Sequence, residues 1–92
     1  MIFVTSYTFK PHMTKADVAD LMEMFASEGS APGTTAHYIN GDGSGGTVIA
    51  ENDDPEAAYR NALNYAPWLS FETKTVLKVE DAVPQIADYL GG

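Results

Sequence analysis

The chain has 92 residues, enough for one domain spanning 1–92, and it carries thirteen acidic residues against five basic ones for a formal charge of −8. It has no cysteine, which excludes disulfides, iron–sulfur clusters and thiolate zinc sites. Lys10, Lys15, Arg60, Lys74 and Lys78 are too scattered to track a phosphate backbone, so nucleic acid and anionic membrane are not expected partners. With only His12 and His37 as imidazoles, no metal or other cofactor is expected either. No apolar run reaches the length of a bilayer span, and the chain opens on an alternating strand rather than a charged n-region. A soluble, cytoplasmic, acidic protein is therefore expected. A domain this small buries only about two-thirds of its unfolded surface and usually needs a staple. By elimination, that staple is self-association.

Ile2 to Phe9 is rich in β-branched and aromatic residues and reads as a strand. Both of its faces are apolar, with Ile2 and Val4 on one and Phe3, Tyr7 and Phe9 on the other. Such a strand needs cover on both sides. Lys10-Pro11-His12-Met13 is a turn, and Thr14 with Asp17 approximates a capping box. Val18, Leu21, Met22 and Phe25 then recur at helical spacing as the expected buried stripe, and Gly29 ends the helix. Strands are expected at Thr34–Ile39 and Thr47–Glu51, joined by the glycine-rich loop Asn40–Gly46. Asp54-Pro55-Glu56 starts a second helix, whose small-residue stripe is Ala58, Ala62, Leu63 and Ala66 and which Pro67 ends. A last strand is expected over Leu69–Val79. Glu80-Asp81 then caps a short helix with Val83, Ile86, Ala87 and Leu90 on one face and Pro84 in its first turn.

This order is a doubled split β-α-β unit with a helix appended, so an α+β, ferredoxin-like β-α-β-β-α-β sandwich is expected. The stretch Gly46–Asp54, the segment Leu69-Ser70-Phe71-Glu72 leading into Val76-Leu77, and the strand ending Tyr7-Thr8-Phe9 resemble a family of small bacterial domains of unknown function. That family falls in the dimeric α/β-barrel group, with antibiotic-biosynthesis monooxygenases and muconolactone isomerases. The resemblance implies a homodimer in which two four-stranded sheets meet face to face. It would cover the second apolar face of the opening strand.

Candidate chemistry is sparse. Gly41-Asp42-Gly43-Ser44-Gly45-Gly46 matches G-x-G-x-x-G, but a strand follows it where a dinucleotide site needs a helix. A flexible hairpin is the better reading. Asp42 is the lone carboxylate there, too few for calcium. Helix capping accounts for Asp53 and Asp54. Glu72 falls on the sheet face opposite Leu69 and Phe71, where a carboxylate enclosed in a dimer would be a candidate base. An edge-strand charge beside Lys74 or Lys78 is the plainer reading. Tyr7, His37, Glu51, Trp68 and Glu72 are the candidate ligand-binding set, offering stacking surfaces and a proton-shuttling imidazole. Core or interface packing competes for Tyr7 and Trp68. His37 falls on a strand, whereas the haem-degrading branch of the fold places its histidine on a helix. Haem is therefore not expected.

Two functions remain. One is a non-catalytic interaction or regulatory module whose partners are its own copy and another protein. The other is a cofactor-independent monooxygenase, isomerase or binder of a small planar ligand, using the cavity behind each sheet. No nucleophile–base–orienter set can be assembled from the residues, which favours the first.

Overall fold

In the computed structural model, which describes residues 1–91, the opening segment forms strand β1 (Ile2–Phe9). There follow α1 (Lys15–Glu28), β2 (Thr34–Ile39), β3 (Gly45–Glu51), α2 (Pro55–Tyr65), β4 (Leu69–Val76) and α3 (Val79–Gly91). Gly92, the last residue of the expected domain, lies outside the described residues. The strands form one sheet in the order β2-β3-β1-β4, with every neighbouring pair antiparallel. The described residues thus form a small α+β unit of one four-stranded sheet and three helices. Its strand order is compatible with a ferredoxin-like sandwich.

β1 is flanked by β3 and β4, and its register sorts the whole sheet. Tyr7 stands opposite Gly46 and Phe71, while Val4 stands opposite Ile49 and Lys74. Side chains alternate across a sheet, so Tyr7, Phe9, Val48, Leu69 and Phe71 share one face. Leu21 of α1 and Tyr65 of α2 pack there with Tyr7 and Leu69 to make the core. Ile2, Val4, Ile49 and Val76 share the other face with Glu51, Glu72 and Lys74. None of those seven side chains belongs to the core cluster.

Local chemistry sets the helix ends. Thr14 accepts from the Asp17 amide at 3.1 Å and Asp17 Oδ2 accepts from the Thr14 amide at 2.9 Å, a complete capping box. Gly29, at φ 68°, closes α1 by donating its N–H to the Phe25 carbonyl. Asp54 caps α2 through the Ala57 amide, with Pro55 behind it. Asp53 lies instead 2.9 Å from the Met1 amino group.

The buried stripe of α1 is rotated from the one expected. In α1 only Leu21 is buried, Met24 packs beside it, and Val18, Met22 and Phe25 stay exposed. In α2 Ala58, Ala62 and the capping Ala66 are half-buried as expected and Tyr65 on the same face is the anchor, whereas Leu63 is exposed. The Tyr65 ring adds the bulk that the small alanines beside it do not supply. β4 stops at Val76, three residues early, since the Lys78 carbonyl already accepts from the Asp81 and Ala82 amides and turns the chain into a helix. Pro84 consequently falls inside α3 rather than in its first turn. There it removes one helix hydrogen bond.

The glycine run divides between turn and strand. Asn40 and Gly45 close the turn through the Asn40 N–H and Gly45 carbonyl, and Asp42 Oδ1 accepts from the Ser44 amide. Gly45 and Gly46 are the first residues of β3, not part of the loop. A Cβ on Gly46 would collide with the Tyr7 hydroxyl and the Tyr38 carbonyl. The glycine is there to admit the tyrosine ring. Gly46→Ala is expected to destabilise the fold by about 1–3 kcal/mol, the usual cost of overpacking, read as a lowered urea midpoint at unchanged slope.

Candidate functional site

Tyr7 projects from the middle of β1 toward the helices and is buried. Its hydroxyl lies 2.7 Å from Nε2 of His37, which β2 carries to the same face opposite Val48. Nδ1 of His37 lies 3.2 Å from Oγ of Ser30, just past the end of α1. A phenol, an imidazole and an alcohol therefore form one hydrogen-bonded chain running from the sheet to the α1–β2 connection. Rings enclose it. Phe25 lies 5.9 Å from His37 and 6.5 Å from Tyr65 between ring centroids, and Tyr7 meets His37 edge-on at 5.6 Å.

The same connection is held from α2. Tyr65 donates its hydroxyl to the Gly29 carbonyl at 2.6 Å, and Asn61 Nδ2 reaches the Gly29 and Ser30 carbonyls at 3.4 Å. These bonds satisfy carbonyls that the end of α1 leaves without helical partners. Ser30 is thus fixed on both sides. It also lines a groove of about 410 Å³ between the end of α1 and α2, together with Arg60, Asn61, Asn64 and Glu28.

Of the expected ligand set, only Tyr7 and His37 touch each other. Trp68 sits in the α2–β4 connection and packs against the core cluster from outside. Its backbone ties the connection down, donating to the Tyr65 carbonyl and accepting from the Lys10 amide. Glu51 ends β3 and Glu72 lies in β4, both exposed and both on the opposite face of the sheet from Tyr7. Ser30 and Tyr65 complete the arrangement, and spacing alone does not single them out. Ser30 reads as part of an exit loop, and Tyr65, though at helical spacing from Ala58 and Ala62, carries no sequence signal of its partner at Gly29.

The arrangement can relay a proton along Ser30, His37 and Tyr7, and it can also latch two helices to the sheet. Both imidazole nitrogens already have partners within the fold. Among the described residues no group of three or more His, Cys, Asp or Glu side chains is placed to hold a metal ion. No helix among them is long and apolar enough to cross a membrane.

Burial pushes the Tyr7 phenol above the ordinary value of 10.0. The Tyr65 phenol is raised as well, first by burial and then by the negative charge of Glu28. A raised phenol means the folded chain keeps a proton that the unfolded chain gives up near pH 10. Stability from this source is full below pH 10 and is lost as pH rises through the folded value. Tyr7→Phe is expected to cost about 1–2 kcal/mol at neutral pH, because His37 Nε2 loses its partner. The variant should also show a shallower loss of stability above pH 10 than the parent. Urea titrations at pH 7 and across the alkaline range read both effects, and parallel alkaline slopes would contradict the assignment.

No curated protein matches the chain. The family model of a domain of unknown function, DUF3303, matches residues 1–90. With nearly the whole chain covered by one model, the protein belongs to the DUF3303 family.

Proposed function

We propose that this protein is a ferredoxin-like sandwich that works as a homodimer, its open sheet face set against that of a second copy as in a dimeric α/β barrel. Its role is that of a non-catalytic interaction module of the cytoplasm. The observation that carries the reading is the sheet itself. Both helices that build the core lie on the Tyr7 face, while Ile2, Val4, Ile49 and Val76 form an apolar patch across β1, β3 and β4 on the other. An isologous pairing covers both patches with one surface, because each copy presents what the other needs. Glu51, Glu72 and Lys74 share that face, Lys74 directly opposite Val4 and Glu51 directly opposite Ile2, so opposite charges are available to pair across the seam.

The non-catalytic part rests on His37. Its two nitrogens are engaged by Tyr7 and Ser30, so neither is free to take a proton from a bound molecule without breaking the latch. A second reading, a binder of a small polar molecule, is favoured by one feature: Ser30 ends the hydrogen-bonded chain and faces the groove beside Arg60. A ligand co-purifying in that groove and displaced by Arg60→Ala would favour this second reading.

Val4→Asp places a carboxylate in the centre of the patch. Sedimentation equilibrium is expected to find the parent chain dimeric and Val4→Asp monomeric, with the helical circular dichroism signal retained. A parent chain that sediments as a monomer would contradict the proposal.

A further inference from the structure

α3 makes no use of its own domain. None of its residues is buried, and its apolar stripe Val79, Val83, Ile86 and Leu90 is exposed by 73%, 53%, 55% and 76%. A helix of thirteen residues is marginal in water on its own, and Pro84 inside it removes a further hydrogen bond. Such a helix needs a surface to lie on. Only Leu77 and Lys78 separate it from the end of β4, so it runs on past the sheet. The molecule is 58 Å long and 27 by 17 Å across, with a radius of gyration of 16.3 Å against about 12 Å for a compact chain of this length.

The exposed area says how much cover is missing. The chain exposes 6595 Å², about 1,400 Å² more than a compact monomer of its mass exposes. If each of two copies buried that excess, the interface would total about 2,800 Å², within the range of obligate homodimers and above that of transient contacts. The apolar patch of the open sheet face and the α3 stripe are continuous in sequence through Val76, Leu77 and Val79, of which Leu77 and Val79 are exposed. A second copy is the one occupant that presents the same pair of surfaces in return.

We propose that α3 is an exchanged arm: in the homodimer it leaves its own sheet and lays Val79, Val83, Ile86 and Leu90 against the second copy, beside the paired sheets. This inference rests on the homodimer reading and adds which element crosses. Tyr89 is 87% exposed and lies off the stripe, and the chain has no cysteine. Tyr89→Cys therefore gives a single site for a nitroxide spin label. The labelled chain is mixed with ¹⁵N-labelled parent chain, and the mixture is sedimented in parallel. Broadening of open-face amides around Val4, Ile49 and Val76 in the ¹⁵N chain is the expected result, since those signals arise only from the copy that lacks the label. A companion variant, Ile86→Asp with Leu90→Asp, is expected to raise the dimer dissociation constant by about tenfold or more while leaving the fold intact. A dimer without intermolecular broadening overturns the exchange and leaves the sheet pairing standing, since α3 then folds back on its own chain or serves another protein. A monomer overturns both.

Discussion

A four-stranded sheet has two faces, and this chain supplies core-building helices for one of them. α1 and α2 both settle on the side of Tyr7 and Leu69, where Leu21 and Tyr65 meet them. The central strand is apolar on both sides, so Ile2 and Val4 are left with Ile49 and Val76 on a face that no core residue shares. The appended helix repeats the imbalance, its stripe standing clear of the domain. Burial of apolar area is the main favourable term for a domain of this size. The chain has no cysteine for a disulfide, and in the proposed homodimer the cover comes from a second copy.

On the covered face, one contact organises its neighbours. Gly46 has no side chain, which lets the Tyr7 ring lie over β3 and bring its hydroxyl to His37. His37 holds Ser30, and Tyr65 and Asn61 hold the Gly29 and Ser30 carbonyls. The end of α1 is thereby tied to β1, β2 and α2 at once. The side chains concerned have a partner for every buried polar atom: none of the described residues carries a buried side-chain nitrogen or oxygen without one. That is the economy of a structural latch, and it accounts for a histidine and a serine close together without asking for a substrate.

Much of this was legible in the residues. Thr14 with Asp17, Gly29, and Asp54 with Pro55 each carry their own local chemistry, and the helix ends fell where those signals put them. The two-faced character of β1 follows from alternation alone. What depended on distant partners was harder to read. In α1, Leu21 and Met24 meet the cluster of Tyr7, Tyr65 and Leu69 while Val18 and Met22 stay exposed, and no local spacing reports on that. The glycine run reads as a loop because its last two residues pair with β1 only in the folded sheet. Likewise the candidate set mixed the two faces. Tyr7 and His37 converge, Glu51 and Glu72 lie across the sheet, and Trp68 buttresses a turn.

In the proposed homodimer the uncovered face is paired with that of another copy of the same chain. Native mass spectrometry of the protein as purified tests that most directly. The expected spectrum is dominated by a species of twice the 9.9 kDa chain mass, with no added small molecule. A spectrum of free 9.9 kDa chain at micromolar concentration would contradict it.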